Sequence, residues 1–263
     1  MSQLSNQQAI QDEQYHFPYH YVSSSTNGVF RQTYDWSWAL NYQLTLDFIL
    51  NRLQDEEFTS IVDIGCGDGR LTWELHKAFP MSRVLGLDYS QRSVGLAKNI
   101  NPSVDYQVRD IITAKTEERF DRGMLIEVLE HIPDELESPF LEAISNMLTV
   151  AGGGGTVGKS NGVLYLTVPH QNQPLSPKGK HYRHYTVKSL AEKVSPYFEI
   201  NECITFQKRC RRRGWVSKLL SNRYFILNHA YCLKKIYDYC RHNLFQTNDE
   251  TNCERIFMRL TKK

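Results

Sequence analysis

The stretch VDIGCGDGR, residues 62–70 of a 263-residue chain, decides the fold. It closes a β-branched run, SIVDIG at 60–65, and leads into LTWELHKAF at 71–79, whose apolar residues fall at helical spacing. Three glycines, Gly65, Gly67 and Gly69, stand at the junction. A strand-to-helix turn with few Cβ atoms lets the backbone approach a ligand, and the helix that follows offers it unpaired N–H groups. Beyond this turn the alternation continues. The segments 84–89, 104–110, 121–128 and 162–169 read as strands, with helical stretches at 92–100 and 140–148 between them. A helix at 189–197, a strand at 198–207 and a last strand at 253–261 complete seven strands, and alternation of this kind builds a parallel sheet from stacked βαβ units.

The glycine spacing then narrows what the turn can hold. A dinucleotide fingerprint requires a small residue three positions after the second glycine, where helix packs on strand, and here that position is Arg70. The pattern is GxGxG instead. It resembles motif I of the class I S-adenosylmethionine-dependent methyltransferases, among them the ubiquinone-pathway O-methyltransferases, and the resemblance extends over most of residues 61–260. It implies an α/β, Rossmann-like fold, a seven-stranded, mostly parallel sheet with helices on both faces and a helical insertion before the last strand. It also implies S-adenosyl-L-methionine as cofactor. On this resemblance Asp63 anchors the loop, and Gly65, Cys66, Gly67 and Gly69 line the amino-acid and ribose parts. Asp88, followed by Tyr89, accepts from the ribose hydroxyls. Asp110 accepts from the adenine amino group, with Ile111 against the ring. The three sites fall on consecutive strand ends, where open α/β sheets bind ligands.

The chemistry is expected after the fourth strand, in IEVLEHIP at 126–133. A sulfonium methyl is already activated, so the protein chiefly aligns the acceptor, excludes water and removes a proton where needed. His131, His184 and Glu130 are the candidate catalytic residues. The Glu-x-x-Glu-His pattern resembles a divalent-metal site of ubiquinone-pathway and small-RNA 2′-O-methyltransferases. That resemblance implies Mg²⁺ or Mn²⁺ on Glu127, Glu130 and His131, with His181 or His184 as a further ligand. Metal-independent relatives carry the same segment, with the first Glu on the cofactor's amino group. KHYRHYT at 180–186 resembles a segment before the last helix of small-molecule members, where His184 would act as general base.

The pattern GGGTVGKS at 153–160 matches a phosphate loop letter for letter, but it follows a helix and leads into a strand, the reverse of what a phosphate loop requires. It resembles the family's Gly-Gly turn, lengthened by a glycine-rich insert.

Residues 1–35 form a polar, aromatic arm expected to be irregular, with Tyr15, His16, Tyr19 and His20 over the acceptor pocket. Residues 36–263 form the domain, starting with a helix at 36–54. No run is long and apolar enough to span a bilayer, and the N-terminus lacks a secretory pattern, so a cytoplasmic location is expected. Six cysteines without CxxC pairs read as reduced thiols. The net charge of +2 conceals an asymmetry, because residues 207–263 hold 14 Lys or Arg against 4 Asp or Glu. Within them an insertion at about 211–245 mixes cations with large aromatics and is expected to be helical. A solvated basic face with the aromatics in a small satellite core, a lid, contact with an anionic surface through 208–242, or binding to nucleic acid are its readings, the last disfavoured because no nucleic-acid module accompanies the charge. The expected acceptor is a hydroxyl on a small metabolite, or on a glycan- or lipid-linked precursor. Metal-assisted RNA 2′-O-methylation and non-catalytic cofactor binding are the alternatives.

Overall fold

The computed structural model describes residues 6–26, 29–32, 36–114, 116–151, 161–175, 181–222, 224–247 and 249–263. The arm contains a helix α1 (Asn6–Gln14), a 3-10 turn (Tyr19–Val22) and an antiparallel hairpin of β1 (Ser23–Thr26) and β2 (Val29–Gln32). It is therefore more ordered than its lack of a sustained period suggests. Then follow α2 (Trp36–Leu53), β3 (Ser60–Ile64), α3 (Arg70–Ala78), β4 (Arg83–Asp88), α4 (Gln91–Ile100) and β5 (Asp105–Val108). The second half runs through β6 (Arg122–Ile126), α5 (Asp134–Asn146), β7 (Val163–Pro169), α6 (Val187–Val194), β8 (Phe198–Phe206), α7 (Arg211–Leu220), α8 (Ala230–Asn243), β9 (Gln246–Thr247) and β10 (Arg255–Lys262).

The main sheet has the order β5-β4-β3-β6-β7-β10-β8-β9. Strands β3 to β7 pair in parallel, and β10 enters antiparallel between β7 and β8. The seven expected strands are all present. The eighth, β9, is only two residues long and pairs with the end of β8, too short to leave a periodic signal. The insertion is helical as expected and consists of α7 and α8. The phosphate-loop look-alike lies outside the described residues, but its flanks are α5 and β7, helix before strand.

Strand period sorts the core into two layers. In β3, Val62 and Ile64 pack with Leu141, Ile144, Leu190 and Val194 on the face covered by α5 and α6, whereas Ile61 packs with Leu40, Leu75 and Leu233 on the face covered by α2, α3 and α8. Every residue of β7 is buried, as befits a strand covered on both faces. In α8 the buried residues Leu233, Tyr237 and Cys240 recur at helical spacing and seat that helix on the second layer.

Sheet order fixes where a ligand can lie. Connections from β3 turn towards β4 on one side, while β6 adds on the other, so the crevice opens beyond the carboxyl ends of β3 and β6. Gly65 and Glu127 follow those two ends.

Leu164, the second residue of β7, is fully buried. Leu164→Ala is expected to lower stability by about 2–5 kcal/mol, through lost burial and the cavity left behind. The exposed Met81→Ala is expected to change it by less than about 0.5 kcal/mol. Urea unfolding midpoints check both.

Candidate functional site

The turn after β3 is built from left-handed backbone: Gly65, Gly67 and Gly69 have φ of 74°, 55° and 80°. A Cβ at Gly65 would lie 2.6 Å from a Val128 methyl carbon, and one at Gly69 would lie 2.7 Å from the Tyr106 ring and 2.8 Å from Ala97. Gly69 thus provides the close helix–strand packing that Arg70 cannot. The turn is held by Asp88 at the end of β4, whose carboxylate accepts from Gly67 N at 2.9 Å and from Ser90 N at 2.8 Å. Asp63, on β3, accepts from the Thr72 hydroxyl at 2.7 Å. Both carboxyls are buried, and burial raises both pKa values, that of Asp63 to about 7. Cys66 is buried in the same turn, and burial pushes its thiol up as well.

Asp110, exposed beyond β5, accepts from Ile112 N at 3.0 Å, and Ile111 beside it is buried. Asp63, Gly65, Cys66, Asp88, Tyr89, Asp110 and Ile111 line one cavity of about 1370 Å³, which continues past Glu127, Glu130, His131 and His181 to Arg213, Glu254 and Arg255. That exceeds the roughly 300–1000 Å³ of an ordinary small-molecule site. Gly67 and Gly69, also expected at the cofactor, are not among the cavity's lining residues, because Gly67 packs against the Tyr15 hydroxyl and Gly69 against Tyr106 and Ala97.

Beyond β6, Glu127 has φ 57°, one of two described non-glycine residues in the left-handed region. Its carboxylate accepts from Arg255 Nε at 2.7 Å and from the Thr167 hydroxyl at 3.0 Å. Arg255 also donates to the side chain of Gln207, the other left-handed residue. The strain at both positions is held by one guanidinium. Glu130 is buried, and neither of its carboxylate oxygens has a hydrogen-bond partner among the described residues. Burial, followed by the charge of Glu127, raises its pKa well above the usual carboxylate range.

Glu130, His131 and His181 each present one donor atom within 4.8 Å of the others. Glu127 is outside that group and is committed to Arg255. His184 stands behind His181. Its Nδ1 faces the Gln173 carbonyl at 2.8 Å, and its Nε2 faces His181 Nδ1 at 2.7 Å. A carbonyl can only accept, so His184 Nδ1 carries the proton and its Nε2 receives one from His181 Nδ1. His181 Nε2 is then the lone-pair nitrogen. Burial lowers the His184 pKa, which favours this neutral relay.

The arm closes the crevice at the cofactor loop. The Tyr15 hydroxyl lies 2.5 Å from where a Gly67 Cβ would be, Asp12 accepts from the Ser90 hydroxyl, and His20 donates to the buried Asp68 from Nδ1 at 2.9 Å and from its backbone N at 3.0 Å. Tyr15, Tyr19 and His20 line the cavity, at the cofactor loop and not over an acceptor pocket, whereas His16 is exposed and does not line it. Gln207, Arg213 and Arg255 escaped sequence reading. Arg255 lies in the last expected strand, and only the β10–β7 pairing brings it to Glu127.

A sequence model described as a methyltransferase domain matches residues 61–152, the span that supplies the glycine turn, Asp63, Asp88, Asp110, Glu130 and His131 but not His181. Over this span the chain is similar to the methyltransferase domain family. Outside it, likeness to solved structures covers nearly the whole chain. The [4+2]-cyclase SpnF aligns with 98% of this chain and 97% of its own at TM-score 0.61 and 16% identity. The N-methyltransferase NodS of Bradyrhizobium japonicum WM9, in complex with S-adenosyl-L-homocysteine, aligns over 84% and 87% at TM-score 0.52 and 14% identity. At these identities the likeness establishes the fold. Among curated relatives, a trans-aconitate 2-methyltransferase of Escherichia coli is 28% identical over 46% of this chain and 43% of its own length. A protein-lysine N-methyltransferase of Saccharomyces cerevisiae is 38% identical over 22% and 27%. The chain spans less than half the length of these relatives.

The buried Asp63 of the methyltransferase domain makes a signed prediction. Its folded pKa of about 7 lies above an unfolded value of about 3.9, so its stabilising contribution is complete below pH ~4 and is lost as pH rises through 7. Asp63→Asn keeps an acceptor for Thr72. The variant is expected to lose less stability than the parent between pH 5 and 8, by an amount on the order of a few kcal/mol. Urea titrations of ligand-free protein across that range measure it.

Proposed function

We propose that this chain is an S-adenosylmethionine-dependent methyltransferase acting on a hydroxyl oxygen of a small metabolite, or of a glycan- or lipid-linked precursor. The observation that carries this reading is the convergence of Gly65 from the left-handed turn, Asp88, Asp110 and the Glu130–His131–His181 cluster on one cavity. Gly65 brings the backbone of the turn to the cavity, where it faces the amino-acid and ribose parts of the cofactor. Asp88 has carboxylate lone pairs beyond those used by Gly67 and Ser90, and these can accept from a ribose diol. Asp110 and Ile111 frame the adenine. Glu127 and Arg255 form an opposite-charge pair suited to an amino acid's ammonium and carboxylate groups.

At the methyl end, His181 Nε2 is prepared to take up a hydroxyl proton, because its tautomer is set by His184 and Gln173. His131 and Glu130 stand beside it. In this reading His184 positions His181 and does not touch the acceptor.

A specific observation favours a second reading, in which a divalent cation is held here. The donor set suits Mg²⁺ or Mn²⁺, and Glu130 is a buried carboxyl lacking a hydrogen-bond partner. Glu130, His131 and His181 would hold the ion, and when bound it would lower the pKa of an acceptor hydroxyl. The His184–Gln173 relay would orient His181 in either case.

Calorimetric titration with S-adenosyl-L-homocysteine tests the cofactor reading. A Kd in the micromolar range, roughly −8 kcal/mol, is expected. Gly65→Ala, which forces a Cβ into Val128, is expected to weaken it at least about tenfold with an unchanged far-ultraviolet spectrum. A folded sample that takes up no S-adenosyl-L-homocysteine would overturn the reading. For the cation, Mn²⁺ resonance spectra should show about one bound ion per chain. His131→Ala should release it while leaving S-adenosyl-L-homocysteine affinity intact.

A further inference from the structure

The exposed large apolar side chains of this protein are unevenly distributed. Of those among the described residues, Trp215, Val216, Leu219, Tyr224, Phe225, Tyr231 and Tyr239 all fall within the insertion. Trp215 is 80% exposed, Leu219 68% and Tyr224 79%. In α7, Trp215 and Leu219 stand one turn apart, with Arg211 a turn before them and Arg212 a turn before Val216. Ser217 is the buried residue of that helix. In α8, Tyr231, Lys235 and Tyr239 form a stripe opposite the buried Leu233, Tyr237 and Cys240, and Lys235 lies over the Tyr231 ring at 5.5 Å.

The segment between the helices is held in shape by backbone bonds. Ser221 and Ile226 form an antiparallel bridge, Leu227 N donates to Leu220 O at 2.7 Å, and Asn222 N donates to Phe225 O at 3.0 Å. Tyr224 and Phe225 are therefore presented at the tip of a turn. Around them, residues 208–242 carry ten Lys or Arg against one Asp. That Asp238 accepts from Lys234 at 2.7 Å, and Arg213 pairs with Glu254, which leaves a positive excess on the rest of the segment.

We propose that α7, α8 and the turn between them dock the protein on an anionic lipid surface, with the aromatic and aliphatic side chains at the acyl boundary and the Lys and Arg residues among the headgroups. Helices that lie in a membrane interface combine these two residue classes on an exposed face, and each cation near an anionic leaflet adds to the attraction. Nucleic acid would answer the charge but not the exposed Val216 and Leu219, which have nothing to gain on phosphate. The docking face adjoins the cavity, since Arg213 of α7 lines it and pairs with Glu254 at 3.4 Å. The surface stands on its own observations and holds whether or not the methyltransferase reading does.

Co-sedimentation with phosphatidylcholine vesicles, with and without phosphatidylglycerol, tests it. Binding is expected on the anionic vesicles only, to weaken in high salt, and to be accompanied by a blue shift of tryptophan emission that Trp215→Ser removes. Lys234→Glu/Lys235→Glu and Trp215→Ser/Leu219→Ser are each expected to lower the partition coefficient about tenfold or more. Both pairs lie on the exposed face, and an unchanged thermal midpoint identifies them as folded. Three results would each overturn the proposal: no sedimentation with either vesicle, binding of a duplex RNA without vesicle binding, or a dimer in solution that the Trp215→Ser/Leu219→Ser variant dissociates without vesicle binding.

Discussion

The site depends on the hydrogen bond from Gly67 N to the buried carboxylate of Asp88. A turn in which Gly65, Gly67 and Gly69 all take left-handed backbone has great conformational freedom and needs something to hold it in one shape. A carboxylate at the end of the neighbouring strand supplies that hold, and the parallel pairing of β3 with β4 puts it within reach. The turn's shape, its open backbone and the start of α3 at Arg70 all follow from this one contact between strand ends. Tyr106, which donates to Gly69 O at 3.1 Å, closes the turn from the next strand outward.

Around this turn the cavity concentrates buried acid. Asp63, Asp88 and Glu130 have all been taken out of water, and burial raises the pKa of each. Such a lining is costly when charged and becomes favourable when a cation or hydroxyl donors enter, the complement expected for a ligand carrying a sulfonium, an ammonium and a ribose diol. The cations facing it are already placed. Arg255 is shared by Glu127 and Gln207, and Arg213 pairs with Glu254. The likeness to a [4+2]-cyclase shows that this architecture does not by itself specify a reaction. What separates chemistries is the small group of side chains beyond β6, and here it consists of two imidazoles and a carboxyl, with a third imidazole setting the tautomer of the first.

The arm and the insertion frame the crevice from opposite ends of the chain. Tyr15, Asp12 and His20 meet Gly67, Ser90 and Asp68 by side-chain contact and hydrogen bonding, so the arm adds its order to that of the cofactor turn. The insertion is tied down by one apolar stripe of α8 and by the bond of Tyr237 to Asp47 of α2, which leaves its other face outward.

The sequence by itself determined what local period and local backbone geometry can encode. The alternation from residue 60 onward implied the sheet, the Gly65–Gly67–Gly69 spacing implied the turn, and the apolar spacing of residues 36–54 implied α2, which ends at Leu53. Asp88 and Asp110 were legible through the family resemblance, which implies acidic residues at the ends of these two strands. The tertiary structure alone decided the rest. Glu127 and Arg255 lie 128 residues apart, and their pairing depends on β10 entering antiparallel beside β7. That His184 serves His181 depends on the carbonyl of Gln173, eleven residues before it, and Gln173 bears no motif. The arm has no sustained period because its order comes from contacts with Gly67, Ser90 and Asp68. Hydrogen bonds between distant segments leave no periodic trace in a chain, because either partner can change its position in sequence as long as the fold brings the two atoms to the same place.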